Sequence, residues 1–184
     1  MLRGINLENL YTGFINSYNQ FLFPAGEDDN YAQETHAIIE YFRRLAINLG
    51  YYPYCEYMQR DLEWYAEEDN TTSILHLEAE NTYSRFNYTI EKICKSKSLY
   101  GIAILWTNET EINAKKHLKK HCISLNNNKK ILVIIRYSKG KRIKKGVWVY
   151  GYCGYELSKE KTRQLKSAQV LWPDEGFQTI EWEK

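Results

Sequence analysis

The sequence predicts a mixed α/β (α+β) fold, in which helices flank a mixed central β-sheet. Two continuous apolar runs, at 99–107 and 131–137, are typical of buried central strands. Each run follows a segment with helical spacing, and a helix between two strands predicts a crossover that makes the strands parallel. Shorter aromatic segments separated by turn residues indicate additional antiparallel strands. The chain has 184 residues, of which 43% are hydrophobic, and this is enough for one domain with a full core.

The predicted elements begin with two amphipathic helices, which are followed by a three-strand meander. In chain order, we expect helices over 6–23, 31–49, 83–97, 109–122 and 156–167, and strands over 51–58, 61–65, 73–81, 99–107, 131–137, 146–152, 170–172 and 177–182. A Pro-Asp-Glu-Gly turn joins the last two strands into a C-terminal β-hairpin. We interpret 1–184 as a single domain with a helical extension (1–29), a core (30–137) and a basic loop with C-terminal β elements (138–184).

The absence of membrane, secretory and paired-cysteine patterns indicates where the protein is located and whether its cysteines are reduced. No run of eighteen apolar residues is present, and the first twenty residues include Asn, Glu and Arg, so we expect neither a membrane span nor a secretory signal. The four cysteines have no Cys-x-x-Cys spacing, which argues against a zinc ribbon and against a disulfide framework. These features favour a cytoplasmic protein with reduced thiols.

The small net charge of +2 conceals a steep asymmetry along the chain. Residues 1–80 contain fourteen acidic and four basic side chains, whereas residues 92–146 contain fifteen basic and two acidic ones. One interpretation is that the two parts fold against each other and neutralise. The other is that carboxylates gather around a cation while a basic surface holds a polyanion. The two interpretations are compatible.

Carboxylates are concentrated in and near the third predicted strand. His76, Glu78 and Glu80 project from one face of that strand, because strand side chains alternate. Asp61, in the preceding strand, lies across from them if the two strands form a hairpin. Hard oxygen ligands of this kind suit Mg²⁺ or Mn²⁺, so Asp61 and Glu78 are predicted metal ligands. A row of polar residues on the solvent side of a hairpin is the alternative.

Glu34 is a further carboxylate that helical spacing directs inwards. It lies about 40° from Ile38 on the apolar stripe of the second helix, and a carboxylate aimed at the core needs a partner. We expect Glu34 beside the carboxylates of the third strand. Because like charges repel, replacing Asp61 or Glu78 with alanine should remove metal binding and leave the fold intact or slightly more stable.

The order of these elements and acidic residues resembles the core of the PD-(D/E)XK, or restriction-endonuclease-like, nucleases. Over residues 31–107, Asp61 matches the metal-binding Asp of that motif, and Glu78 matches the first position of its (D/E)-x-K element. Glu34 matches the additional helix Glu of many members. The sequence departs from the motif at Arg60, where its name has Pro, and at Glu80, which stands at the lysine position.

The resemblance implies a metal-assisted hydrolysis of phosphodiester bonds in DNA. Mg²⁺ or Mn²⁺ would be held by Asp61 and Glu78, Glu80 would orient or deprotonate a water, and Glu34 would bind the metal through water or bind a second ion. Lys92 and Lys95 on the following helix are candidates for a relocated lysine. His76 is an alternative functional group on the same strand face, although a lone strand histidine is more often a polar surface residue.

A basic segment supplies the predicted nucleic-acid contact. Five cations crowd a short glycine-bounded segment that is flanked by aromatic residues; they are Lys139, Lys141, Arg142, Lys144 and Lys145. A solvated surface loop is the alternative. His117, His121 and Cys122 share a segment with four lysines, which repel a cation, so we interpret that segment as a basic helix face.

Three functions therefore compete. The first is a metal-dependent nuclease acting on DNA rather than RNA. The second is a nucleic-acid-binding or regulatory module that keeps the nuclease scaffold without catalysis, which the glutamate at position 80 favours. The third is an assembly protein that forms a homodimer through its aromatic C-terminal hairpin.

Overall fold

The computed structural model describes residues 4–21, 31–55, 61–69, 71–80, 85–107, 118, 129–138, 147–159, 161–173 and 178–183. Its helices are α1 (Leu7–Phe21), α2 (Tyr31–Asn48) and α3 (Phe86–Lys95). Its strands are β1 (Tyr52–Cys55), β2 (Leu62–Tyr65), β3 (Ser73–Glu80), β4 (Tyr100–Thr107), β5 (Lys130–Ser138), β6 (Val147–Leu157), β7 (Thr162–Gln164), β8 (Ala168–Pro173) and β9 (Thr179–Trp182). None of the described helices is both long and apolar enough to cross a bilayer.

The nine described strands form one mixed sheet, in the order β1-β2-β3-β4-β5-β6-β8-β9, with β7 paired to β6. The pairs β3–β4 and β4–β5 are parallel, as the two crossovers predict, and the other pairs are antiparallel. The prediction of a mixed central sheet flanked by helices is confirmed. The helix predicted over 109–122 falls outside the described residues except for Leu118.

Helices cover both faces of the sheet. Leu77 and Ile104 point into a core that includes Phe42 of α2 and several residues of α1. Ala103 and Leu105 point to the opposite face, where they join the apolar residues of α3. Because successive side chains of a strand alternate, the position of a residue along β3 decides which of the two cores it joins.

The ends of α2 and α3 have local causes. Gly50 has a φ of 82°, a left-handed value that glycine adopts without strain, so α2 ends there as predicted. At the end of α3, the buried Nζ of Lys129 donates to the carbonyl oxygens of Ile93 and Ser96, at 2.7 Å each. Gly101 of β4 allows α3 to approach the sheet, because a Cβ at that position would overlap Cγ2 of Ile93. These contacts hold α3 against β3 and β4.

The helix predicted over 156–167 is wrong, because the described part of this region contains the end of β6 and the strand β7. Strand β6 continues to Leu157 and pairs with β7. Tyr155 and Leu157 alternate into the core beneath α3, while Glu156 forms an ion pair of 2.7 Å with Arg163 across the two strands. Charged and apolar residues alternate here because the segment is a strand with one buried face. Over so short a segment, the spacing of these residues does not distinguish such a strand from an amphipathic helix. The predicted C-terminal hairpin is confirmed by the antiparallel pairing of β8 with β9.

Candidate functional site

Glu78 lies near the carboxyl end of β3 and points towards α3. Its neighbours Leu77 and Ala79 point into the core of α1 and α2, so alternation turns Glu78 to the other face. Ala103 on β4 is in register with Glu78, and its small side chain leaves room for the Glu78 carboxylate. Glu78 is only 2% exposed. A carboxylate this deeply buried requires compensating partners.

Two cationic or polar partners contact the Glu78 carboxylate. Its Oε2 accepts a hydrogen bond of 2.6 Å from Nζ of Lys92 on α3, and its Oε1 contacts Nε2 of His76. His76 is fully buried, and the Lys92 side chain is 21% exposed. Lys92, one of the two candidates for a relocated lysine, is therefore the residue of α3 that reaches the carboxylate. Lys95 instead lies 3.7 Å from Glu91 on the exposed side of the helix.

Asp61 joins the site from the residue that precedes β2. Its Oδ2 accepts the backbone N–H of Ala79 at 2.6 Å, which places it next to Glu78. Burial raises the pKa of Asp61; the bond from Ala79 opposes this shift, the charge of Glu78 adds to it, and Lys92 and His76 oppose it. The carboxyl of Asp61 is thus in electrostatic contact with the other groups of the site.

Glu80 completes the group at the end of β3. Burial raises the pKa of Glu80, Arg85 lowers it, and the neighbouring charges of Asp61 and Glu78 raise it further. The Arg85 guanidinium lies 3.8 Å from the Glu80 carboxylate and is largely exposed. The structure therefore brings together three of the four predicted acidic residues: Asp61, Glu78 and Glu80.

The fourth, Glu34, lies elsewhere, and its predicted place beside Glu78 is wrong. Glu34 of α2 accepts a hydrogen bond from Nη1 of Arg136, whose guanidinium also lies 4.2 Å from the ring centroid of Tyr150. Arg136 is in register with Trp106, a residue of the core under α1 and α2. The sheet therefore separates Glu34 from Glu78. Helical spacing correctly predicted that Glu34 points towards the core. It could not predict which face of the sheet α2 covers.

A second buried carboxylate lies on the neighbouring strand. Glu63 of β2 is fully buried and in register with His76. It accepts hydrogen bonds from the hydroxyl of Tyr65 and, at 3.2 Å, from that of Ser73. Strand alternation predicts that Glu63 faces the same way as Asp61, but Glu63 is not among the predicted site residues.

The residues of the site offer few side-chain oxygens to a metal ion. Among the described residues, no group of three or more His, Cys, Asp or Glu side chains is arranged to hold a metal ion. Asp61, Glu78 and the carbonyl oxygen of Ala79 offer two carboxylates and one backbone oxygen. Mg²⁺ is usually bound in proteins through one or two carboxylates with several retained waters, so these residues fit a hydrated Mg²⁺.

The predicted basic segment, Lys139, Lys141, Arg142, Lys144 and Lys145, lies outside the described residues, as do His117, His121 and Cys122. The strands that flank the basic segment are described, and they pair antiparallel with Ser138 opposite Tyr150. Glu80 is in register with Leu105 on β4, and Leu105 with Ile135 on β5. Ser138 therefore lies towards the same end of the sheet as Glu80, two strands away.

Comparison with known proteins provides no relative from which to interpret these residues. No family model, curated protein or solved structure matches the chain.

Proposed function

We propose that this chain is a metal-dependent, nuclease-like protein that hydrolyses phosphodiester bonds in DNA. The observation that carries the proposal is the convergence of Asp61, Glu78 and Lys92. Asp61 bonds the backbone beside Glu78, and Glu78 bonds the ammonium of Lys92, at 2.6 Å in each case. Two acidic groups with a lysine at one end of a buried strand are the groups that a metal-assisted hydrolysis needs.

The topology supports a restriction-endonuclease-like core for this site. Helix α2 precedes the antiparallel strands β1, β2 and β3, and α3 then crosses to β4, which is parallel to β3. This order is the one on which the resemblance rests. Lys92 approaches the acidic pair from α3, so it can provide the positive charge that Glu80 cannot provide from the lysine position of the motif.

Each residue has a chemical role in this proposal. Asp61, Glu78 and the Ala79 carbonyl would hold Mg²⁺ or Mn²⁺, which when bound would lower the pKa of a coordinated water and neutralise charge on the phosphate. Glu80, whose pKa is raised by burial, is a stronger base than an exposed carboxylate and would accept a proton from the attacking water. Lys92 would orient the phosphate and stabilise its developing charge.

The distribution of charge supports a polyanionic substrate. Strand β5 ends at Ser138, towards the end of the sheet where the acidic site lies, and the basic residues follow Ser138 in the sequence. Positive charge around a site attracts a phosphate backbone, and phosphate contacts position the nucleic acid without reading its sequence. The five cations of the segment would bind the backbone on one side of the site.

Replacing Lys92 with methionine is expected to lower the rate of DNA cleavage by about 100-fold or more, because one preorganised donor to the phosphate is lost. Affinity for Mn²⁺ should stay the same or rise, since the ammonium no longer competes for Glu78. Cleavage of a plasmid and calorimetric titration measure the two effects. The matched control is Lys95→Met, which removes an exposed lysine of the same helix and should change neither. Full cleavage activity in Lys92→Met would exclude the proposed role of Lys92.

Neutralising the basic segment is expected to weaken DNA binding mainly through its salt dependence. If Lys139, Lys141 and Arg142 each contact a phosphate, their joint replacement by glutamine should lower the slope of log K against log salt by about 2 to 3, since each contact contributes about 0.9. Binding of a short duplex at several salt concentrations measures the slope, and Mn²⁺ affinity should not change.

The control for that experiment removes the same charge elsewhere. Lys159, Lys161 and Lys166 are exposed residues around β7. This strand pairs with the end of β6 that lies opposite the start of β5, far along the sheet from Ser138. Their joint replacement by glutamine should leave the slope within a few tenths of the wild-type value. An equal drop in both triple variants would indicate a general charge effect and would contradict the assigned contact.

A catalytically inactive nucleic-acid-binding module is the second candidate, and one observation favours it. Glu80 occupies the lysine position of the motif, and the only lysine described at the site is already engaged by Glu78. Salt-dependent DNA binding without cleavage in Mg²⁺ or Mn²⁺ would support this function over the enzyme.

A further inference from the structure

His76 is the buried polar residue of the site to which the proposed chemistry assigns no role. Its ring is fully buried, and its Nε2 contacts Oε1 of Glu78. Its other ring nitrogen, Nδ1, is also buried and has no hydrogen-bond partner among the described residues. One nitrogen therefore contacts Glu78, and within the described part of the chain the other makes no hydrogen bond that would orient the ring.

In the sheet, His76 lies between Glu63 and Gly101. On one side it is in register with Glu63, whose carboxylate oxygens accept bonds from Tyr65 and Ser73. On the other side it is in register with Gly101, which has no side chain and lies under Ile93 of α3. Within the described residues, the hydrogen-bond contact of the ring is with the carboxylate of Glu78.

These contacts also determine which ring nitrogen carries the proton. A carboxylate only accepts hydrogen bonds, so Nε2 of His76 must be the donor to Glu78. A proton on Nδ1 would be a buried N–H without an acceptor among the described residues, and such groups are rare and costly in folded proteins. The contacts of the described residues therefore favour the Nε2–H tautomer of His76.

We propose that His76 is a positioning residue for Glu78. By donating to Oε1, its Nε2–H fixes the carboxylate so that Oε2 faces the position occupied by the Lys92 ammonium, where Glu78 would ligate the cation through one oxygen. This proposal rests on the proposed function for its metal ligand but adds a residue that touches neither metal nor substrate. Carboxylate ligands are commonly held by such outer hydrogen bonds, and loss of one typically costs 10-fold to 100-fold in metal affinity.

The test compares three variants in calorimetric titrations with Mn²⁺. His76→Leu removes the donor and should weaken Mn²⁺ binding about 10-fold to 100-fold. His76→Gln carries an amide N–H near the position of Nε2 and should restore most of that affinity. Thr89→Val is the matched control, because Thr89 is a fully buried residue of α3 whose hydroxyl has no partner among the described residues. It should bind Mn²⁺ like the wild type.

A second measurement does not depend on metal. In the metal-free chain, a ¹H–¹⁵N spectrum of the imidazole groups should show an Nε2–H signal that disappears in His76→Gln and shifts in Glu78→Gln. An Nδ1–H tautomer at His76 would overturn the positioning role whatever the metal data show. If His76→Leu does not fold, His76→Asn replaces it, since the shorter amide does not reach Glu78.

The outcomes separate the two proposals. Mn²⁺ binding by the wild type with equal affinity in His76→Leu would overturn the role of His76 and leave the proposed function standing. No Mn²⁺ binding by the wild type would overturn the proposed function and the ligand-positioning role together. Weaker binding in both His76→Leu and His76→Gln would also contradict the positioning role, because the replaced donor would then have no effect.

Discussion

Replacing Glu78 with alanine is expected to abolish Mn²⁺ binding and DNA cleavage and to lower the free energy of unfolding by about 2 kcal/mol. The carboxylate is buried and bonds both Lys92 and His76, so its loss leaves a buried imidazole N–H and a half-buried ammonium without their acceptor. The expected loss of stability is moderate because the Lys92 side chain is 21% exposed and its ammonium can turn towards water. Urea unfolding and calorimetric titration measure the two effects.

The matched control is Glu91→Ala on the same helix. The Glu91 side chain is 56% exposed and lies 3.7 Å from Lys95, so its loss should change stability by less than about 0.5 kcal/mol and leave Mn²⁺ binding unchanged. Sequence patterning treats Glu78 as one of several mutually repelling carboxylates and predicts a neutral or slightly stabilising substitution. The two partners of Glu78 reverse that expectation. A Glu78→Ala variant more stable than the wild type would contradict the pairing described for this residue.

Replacing Asp61 with asparagine is expected to remove Mn²⁺ binding while making the protein more stable at neutral pH. Burial raises the pKa of Asp61 in the folded protein above its ordinary value of 3.8. Between these two pKa values the folded state binds more protons than the unfolded state, so stability falls as pH rises through this window, and the cost remains at pH 7. Asparagine keeps an acceptor for the Ala79 N–H and has no charge to bury.

The free energy of unfolding, measured by urea denaturation from pH 3 to pH 8, should therefore be higher in Asp61→Asn at pH 7. The difference should shrink as pH falls below the folded-state pKa and vanish below 3.8. The control is Asp69→Asn, at an exposed residue of the β2–β3 turn that accepts the backbone N–H of Thr71 at 3.1 Å. It should follow the pH profile of the wild type. A less stable Asp61→Asn at pH 7 would mean that the charge of Asp61 is stabilised, contrary to its burial.

Two ion pairs support the interpretation that the acidic and basic parts of the chain fold against each other. Glu34 binds Arg136, and Glu78 binds Lys92, so each pair joins the acidic first part of the chain to the basic part that follows. These pairs neutralise charge across the fold. Asp61 and Glu80 retain carboxylates whose pKa is raised by burial, and this is the arrangement in which a bound cation relieves the cost of burying negative charge.

Much of the site could be predicted because strand alternation is a local property. The period of two placed His76, Glu78 and Glu80 on one face, and the hairpin placed Asp61 across from them, as the bond to Ala79 shows. The buried parallel strands were recognisable from their continuous apolar runs. These inferences needed only the geometry of a single strand or of two strands adjacent in sequence.

The features that the sequence did not predict correctly depend on packing between elements that are distant in the chain. The partner of Glu34 is Arg136, 102 residues away, and spacing cannot indicate which face of the sheet α2 covers. The choice between Lys92 and Lys95 is decided by the way α3 lies on the sheet, which Gly101 and Lys129 help to set. The strand character of Thr162–Gln164 depends on pairing with β6, so the charged spacing over 156–167 wrongly predicted a helix.

The anomalous difference density of a crystal soaked in Mn²⁺ tests the metal site most directly. We expect one peak at ligand distance from a carboxylate oxygen of Asp61, from Oε2 of Glu78 and from the carbonyl oxygen of Ala79, with the Lys92 ammonium displaced from its 2.6 Å contact with Glu78. Density with no peak between Asp61 and Glu78, and with Lys92 still bonded to Glu78, would contradict the metal-dependent function proposed for this chain.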